Sequence, residues 1–327
     1  MKKIFKILSI TILICIVSIG TLLFTFKNRI NLCVNIAKNY FKIEEDFESI
    51  EGLTCYTPLD NMDYKDVVYK GQNGVDLTLD IFGPKKKLEN GSPVIVFVHG
   101  GSWLYGNKAI PKELSPVLNA FRESGYTVIS TSYELLKDGI TLDKPISDVK
   151  DTIRWINKNK DYYGFNTEEV GIIGFSAGAH LSLLSAYSDN NEFIGDESLS
   201  SYASKIKYVV DIFGPTDLST LDIKAVDNVI AEKLYSLSNL NDIQYKYSPI
   251  NYVKEGVPET LIINSKNDKL VPYENSTILY EKLLNVSTKT KLVSLDKSDH
   301  DLSSIDTEDI TPLAIELLQF IIKNSPI

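Results

Sequence analysis

A serine framed by glycines, Gly174-Phe175-Ser176-Ala177-Gly178, is the group of residues in this chain best suited to covalent chemistry. The apolar run Val170-Gly171-Ile172-Ile173 precedes it and reads as a buried strand. Ala177–Tyr187 follows with helical composition and apolar spacing. Strand, tight turn and helix around a central serine make the nucleophile-elbow pattern. Such a turn strains its central residue and crowds the neighbours, so the flanking positions have room for no more than hydrogen. The helix that starts there aims free N–H groups and its positive dipole end at the serine oxygen, which stabilises negative charge developing beside Ser176. The bland alternative is an accidental Gly-x-Ser-x-Gly in a loop, and the flanking elements argue against it.

A serine hydroxyl attacks poorly unless a base takes its proton. Three histidines are present, His99, His180 and His300. His180 lies four residues along the helix from Ser176, which carries it away from the hydroxyl, and His99 belongs to another motif. His300 remains, in the polar loop Asp296-Lys297-Ser298-Asp299-His300-Asp301. The imidazole in turn needs a carboxylate to fix its tautomer and stabilise its charged form. Asp268 is favoured because it follows directly on the strand Thr260–Ile263. Asp296 and Asp299 are local rivals whose plain role is solvation of a surface loop. The chain order Ser176, Asp268, His300 is the one used by serine elbows of this kind. Acyl transfer also needs donors for an oxyanion. His99-Gly100-Gly101-Ser102-Trp103 begins where the strand Val94–Val98 ends, and its glycines let backbone N–H groups turn inward. The Ala177 N–H supplies a donor from the helix side. His99 is expected to brace this loop by hydrogen bonding, with Trp103 packing over it.

Holding these groups together requires a sheet. Val67–Tyr69 and Val75–Phe82 read as an antiparallel hairpin. Val94–Val98 is the continuous apolar strand of a parallel sheet buried on both faces. Helix Pro111–Ser124, strand Tyr126–Thr131, helix Ile146–Lys158 and the elbow strand follow. Beyond the elbow come strands Tyr208–Phe213 and Thr260–Ile263, helix Tyr273–Leu284, strand Lys291–Leu295 and helix Thr311–Lys323. Such alternation predicts an α/β fold, a mainly parallel sheet flanked by helices. Pro215–Tyr252 interrupts it with a polar, helical insertion after the C-terminal end of a strand, where open α/β sheets place their ligand crevice. It reads either as a lid or cap over residues 215–252 or as a surface excursion.

The 327-residue chain carries a net charge of −9, which argues against nucleic acid as a partner because phosphate binding needs a basic face. Ile7–Phe26 has no charged residue, and twenty helical residues span about 30 Å, the hydrocarbon thickness of a bilayer. Residues 1–26 are therefore expected to be an uncleaved signal anchor, 27–63 a juxtamembrane spacer and 64–327 the catalytic domain. A cleaved signal peptide ending near Ser18-Ile19-Gly20 is the alternative, with secretion as its consequence. Lys2, Lys3 and Lys6 outweigh Lys27 and Arg29, so the N-terminus is expected in the cytoplasm and the catalytic domain outside it. Cys15 falls in the apolar span. Cys33 and Cys55 read as unpaired thiols, with a pairing outside the cell as the alternative.

From about Tyr64 to Lys323 the sequence resembles the α/β-hydrolases, in particular the hormone-sensitive-lipase-like and bacterial feruloyl- or acetyl-esterase-like branches. The resemblance rests on His99–Trp103, Ser132-Tyr133, Pro145-x-x-Asp148 leading to Arg154-Trp155, and Gly174–His180. Gly214-Pro215-Thr216-Asp217-Leu218, the Asp268–Pro272 loop and His300 complete it. It implies a triad of Ser176, Asp268 and His300 and an oxyanion hole from the N–H groups of Gly101, Ser102 and Ala177. It implies no metal and no organic cofactor, and a small-molecule or sugar ester as substrate. Ser102 stands in place of the third glycine of the lipase-like motif, which favours the bacterial esterase branch, and Ser265 replaces a usual glycine before the acid loop. The function expected is a serine carboxylesterase acting on short acyl esters. A prolyl-oligopeptidase-type peptidase is the alternative, but the residues before the catalytic domain are too few for its gating propeller. A non-catalytic binding protein on the same scaffold is the other, and all the motif residues it would be expected to lose are retained.

Overall fold

The fully buried strand β3 (Ser92–Val98) runs through the middle of an eight-stranded sheet. The structure, a computed structural model, describes residues 62–72, 75–111, 114–136, 141–222, 239–300 and 307–325. The expected signal anchor, the spacer up to residue 61, all three cysteines and the insertion's residues 223–238 lie outside the described residues. Among the described residues no helix is long and apolar enough to cross a membrane.

The strands are β1 (Tyr64–Gln72), β2 (Val75–Phe82), β3, β4 (Thr127–Thr131), β5 (Phe165–Phe175), β6 (Tyr208–Ile212), β7 (Glu259–Ser265) and β8 (Thr290–Leu295), in the spatial order β1-β2-β4-β3-β5-β6-β7-β8. The β1–β2 hairpin and the β2–β4 pair are antiparallel; every pair from β4 to β8 is parallel. The longer helices are α1 (Ser115–Ser124), α2 (Asp143–Lys158), α3 (Ala177–Tyr187), α4 (Glu274–Asn285) and α5 (Thr307–Asn324). Ile146, Val149 and Ile153 of α2, Leu181 and Leu184 of α3 and Leu279 and Leu283 of α4 pack on one face of the sheet. Leu118 and Phe121 of α1 and Leu317 and Ile321 of α5 pack on the other. Two covered faces explain why β3 and β4 are buried at every position rather than at alternate ones.

The chain leaves β3 to one side to form β4, then returns across to form β5 on the opposite side. The C-terminal ends of β3 and β5 therefore flank the point where strand order reverses, and that is where a crevice opens in such sheets. The loop after β3 and the Ser176 turn after β5 both arise there.

Element boundaries differ from the sequence expectation at prolines and polar runs. Helix α1 begins at Ser115 rather than Pro111, with Pro116 in its first turn, because a proline deeper in the helix would remove a ladder hydrogen bond and clash with the preceding turn. It ends as expected, at a left-handed Gly125 whose N–H bonds to Arg122 O, while Tyr126 N–H reaches Phe121 O. Helix α2 starts at Asp143, three residues before Ile146, with Pro145 tolerated in the first turn. Helix α5 begins at Thr307 instead of Thr311, so Pro312 lies inside it. Strand β5 begins at Phe165 instead of Val170, since its polar stretch after Asn166 bulges out opposite Pro93 and Val94.

Candidate active site

Ser176 sits between β5 and α3 with φ 52° and ψ −118°, a conformation that L-residues adopt only under constraint. Its N–H is held by Ile212 O at 2.8 Å, and its C=O accepts the His180 N–H at 3.1 Å, the first bond of the helix. The flanking glycines are required by space. A Cβ on Gly174 would lie 2.4 Å from Ala179 Cα, and one on Gly178 would lie 2.2 Å from Val98 O and 2.3 Å from His99 O. Helix α3 thus packs its backbone directly against the end of β3.

Ser176 Oγ lies 2.8 Å from His300 Nε2, and His300 Nδ1 lies 2.7 Å from Asp268 Oδ2. The Asp268 carboxylate can only accept, so Nδ1 carries the proton and Nε2 presents a lone pair to the serine hydroxyl. The other carboxylate oxygen, Oδ1, accepts the N–H groups of Leu270 and Val271, both at 2.9 Å. These bonds orient the carboxylate towards the ring. The carboxylate is fully buried and the imidazole nearly so. Phe175 and Phe213 pack beside the His300 ring with centroids 6.0 and 5.6 Å away, and Phe213 itself has φ 56°.

Neither rival carboxylate meets the ring. Asp296 pairs with Lys266 at the surface. Asp299 accepts the His300 backbone N–H at 2.8 Å, and that bond chiefly holds its carboxyl below the usual range. Ser265, where the resemblance leads one to expect glycine, has a use here. Its hydroxyl donates to Ser298 O, and Asn267 Nδ2 donates to Asp296 O, so the acid loop and the histidine loop are tied together.

Beyond β3, Gly101, Ser102 and Trp103 have φ of 115°, 52° and 61°, three consecutive residues in the left-handed region. The N–H groups of Gly101, Ser102 and Ala177 have no hydrogen-bond partner among the described residues. His99 braces the loop as expected: its Nδ1–H donates to Gly100 O at 2.8 Å. Tyr133 stacks on the His99 ring with centroids 4.2 Å apart and donates its hydroxyl to His99 O at 3.0 Å. The next residue, Glu134, gives its N–H to Asp148 Oδ2, and Asp148 and Asp151 share the buried Lys70 ammonium at 2.7 and 2.8 Å. The resemblance motif from Pro145 to Arg154 is therefore scaffolding for the loop after β4.

Three contributors escaped the sequence reading. Asn275 of α4 accepts the N–H groups of Thr216 and Asp217 with its Oδ1 and donates to Thr220, anchoring the base of the 215–252 insertion beside the acid loop. His180, set aside as remote from the hydroxyl, is indeed remote, yet it receives the Trp103 indole N–H on Nδ1 at 3.2 Å and meets Tyr247 O with Nε2 at 2.7 Å. The third is Asp211, paired with Gly174 across β6 and β5. It is fully buried, accepts the Gly214 N–H at 2.9 Å and, among the described residues, leaves Oδ2 without a partner. Only the spacing of polar residues within apolar strands and helices hints at such roles.

Burial pushes the Asp211 carboxyl from its ordinary 3.8 up to about 8. The folded protein then keeps a proton that the unfolded chain releases, so this group's stabilising contribution is complete below about 4 and is lost as pH rises to about 8. Asp211→Asn, which holds no titrating proton, should gain stability relative to the parent as pH rises. Thermal melts at pH 4.5 and pH 8 measure the difference, and an Asn effect equal at both would exclude this origin.

Known proteins share this architecture. A truncated form of a carbohydrate esterase from gut microbiota superimposes with a TM-score of 0.66 at 24% identity, over 84% of this chain and 99% of that one. The thermophilic esterase Est2 of Thermogutta terrifontis does so with a TM-score of 0.67 at 21% identity, over 83% and 97%. At these identities the likeness shows the fold, an α/β-hydrolase-like sheet flanked by helices. In sequence, Esterase LipC of Mycobacterium tuberculosis is 26% identical over 74% of this chain, and isoprenylcysteine alpha-carbonyl methylesterase ICME of Arabidopsis thaliana is 26% identical over 68%. The aligned parts make up 61% of LipC and 53% of ICME, so the chain spans a little over half the length of the curated relatives it matches. The BD-FAE profile matches residues 79–283, well over half of the sequence, from within β2 to within α4, and the chain belongs to the BD-FAE family.

Proposed function

We propose that this chain is a serine carboxylesterase acting on short-chain acyl esters through Ser176, His300 and Asp268. The observation that carries the reading is the continuous hydrogen-bonded line from Ser176 Oγ through the His300 ring to a buried carboxylate, beside three N–H groups without a partner among the described residues. In this reading Ser176 Oγ attacks the ester carbonyl while His300 Nε2 takes its proton. The resulting oxyanion is held by the N–H groups of Gly101, Ser102 and Ala177. The tetrahedral species collapses, His300 returns the proton to the departing alkoxide, and an acyl-serine remains. A water then attacks with His300 again as base, releasing the acid and restoring the serine. Asp268 keeps the imidazole in the required tautomer and stabilises its charged form at both steps.

Short acyl groups follow from the modest size of the 215–252 insertion and the lack of a long apolar segment in it to shelter an extended chain. Est2, a structural neighbour, has been solved with propionate and with butyrate bound. Each acyl methylene that is fully buried gains about 0.8 kcal/mol, so a deep groove would improve steadily with chain length and a shallow one would stop after a few carbons. A panel of p-nitrophenyl esters of rising acyl length is expected to give the highest kcat/KM from acetyl to butyryl and a decline beyond. A maximum at long acyl chains would reject the shallow site. A higher kcat/KM for an aminoacyl-proline amide than for any short ester would replace esterase by peptidase. Acetylated or feruloylated sugars are the natural substrates proposed, in line with the carbohydrate esterase among the structural neighbours.

We also propose that Ile7–Phe26 anchors the protein in a membrane with the catalytic domain outside the cytoplasm, on the charge excess before the span. A C-terminal fusion to a reporter active only outside the cytoplasm should then be active. Activity of a cytoplasm-only reporter at the same position would reverse the orientation.

A further inference from the structure

His180 lies on the fourth residue of α3 and is fully buried. It touches two segments far from it in sequence. The Trp103 indole N–H is donor only, so His180 Nδ1 must accept it. A neutral imidazole that accepts on Nδ1 carries its proton on Nε2, and Nε2–H therefore donates to Tyr247 O. Trp103 meets the same ring edge-on, with centroids 5.1 Å apart. Burial drives the imidazole towards neutrality, its pKa falling to about 4, which keeps Nδ1 free to accept across the working range of an esterase.

What this ring holds is the third of the left-handed residues Gly101, Ser102 and Trp103. Ser and Trp do not rest in that region unless the surroundings compel them. Trp103 is pinned twice. Its C=O accepts the Leu136 N–H at 2.8 Å, and its side chain is held by His180. The helix that holds it is the one whose first residue, Ala177, presents beside Ser176 an N–H with no partner among the described residues. On its far side His180 grips the 215–252 insertion, whose Tyr247 hydroxyl donates in turn to Asp143 of α2 at 2.6 Å.

We propose that His180, as the Nε2–H tautomer, is a positioning residue. It fixes the Gly101 and Ser102 donors relative to the Ala177 donor by holding the Trp103 indole, and it fastens the insertion's Tyr247 to the same frame. The inference rests on the esterase reading for its consequence, since the fixed N–H groups matter only if an oxyanion forms there. Hydrolysis by the wild type and its loss in Ser176→Ala establish that reading separately.

Two measurements on the full chain test the proposal. Nitrogen-15 NMR of the histidine rings, of which the chain has three, should find a buried imidazole with its proton on Nε2 and a bare Nδ1 that couples to an indole N–H. A proton on Nδ1 of His180 overturns the bridge whether or not the protein hydrolyses esters. In kinetics, Trp103→Phe removes one N–H and keeps a ring, and should lower kcat by about 10- to 100-fold with KM changed much less, as expected when donors are misplaced rather than substrate binding weakened. The pH dependence of kcat/KM should stay as in the parent, because His300 is untouched. His180→Phe should lose at least as much, and the double variant should be no worse than His180→Phe alone. His180→Asn places an amide oxygen where Nδ1 stands and should recover part of that loss. A folded Trp103→Phe with kcat within about twofold of the parent, or losses that multiply in the double variant, overturns the proposal. If His180→Phe does not fold, the Trp103→Phe and tautomer results decide.

Discussion

Ser176→Ala and His300→Ala are each expected to lower kcat by a factor on the order of 10⁵ to 10⁶, and the double variant should be barely worse than either alone. In the proposed mechanism the hydroxyl and the imidazole act as one device. Without Oγ there is nothing to attack, and without Nε2 at 2.8 Å the hydroxyl keeps its proton. Residual turnover would come from water attacking an ester still polarised by the N–H groups of Gly101, Ser102 and Ala177. Both variants should stay folded. Ser176 holds its strained backbone through Ile212 O and the His180 N–H, neither of which involves the hydroxyl. His300 stands on a loop whose ties to the acid loop run through Ser265 and Asn267 instead. Single-turnover and steady-state kinetics with a short p-nitrophenyl ester give the comparison, with thermal melts as the control for folding. Losses that multiply in the double variant would separate the two residues and undo the nucleophile–base pairing.

Asp268→Asn should lower kcat by about 10⁴ with little change in KM or stability. The amide fits the same space, and its oxygen can go on accepting the N–H groups of Leu270 and Val271. Its NH₂ then faces His300 Nδ1 across 2.7 Å, and two donors cannot share that contact. The ring answers by moving its proton to Nε2, where it can no longer take one from Ser176. Asp296→Asn and Asp299→Asn should cost no more than a few-fold, since the first meets Lys266 at the surface and the second caps the His300 N–H. A larger loss at either than at Asp268 would move the acid role there.

The local layout of the candidate site is legible along the chain because each part is written over a few neighbouring residues. Gly174–Gly178 states a turn that only glycines can flank, and the packing explains why: backbone of β3 and α3 fills the space where side chains would be. The buried parallel strands were legible as unbroken apolar runs, and the element types came out right while their ends moved at Pro116, Pro145 and Pro312. A proline marks the neighbourhood of a helix end, and tertiary packing decides how many residues lie on either side of it.

Other features depend on contacts between residues far apart in sequence, and these the fold alone decided. Asp268, Asp296 and Asp299 are equivalent as residue types. What distinguishes them is that the strand order sets β7 beside β8, which brings the Asp268 carboxylate to the His300 ring 32 positions away and leaves Asp296 facing solvent. His180 read correctly as too far from Ser176, but its partners Trp103 and Tyr247 lie 77 and 67 positions away on opposite sides of it in the chain. Asp211 looked like one more strand residue until two covered sheet faces enclosed it. Sequence periodicity reports which face of an element is apolar. Which polar groups meet inside is set by strand order and helix placement, because a buried polar atom takes whatever partner the packing brings within hydrogen-bonding reach.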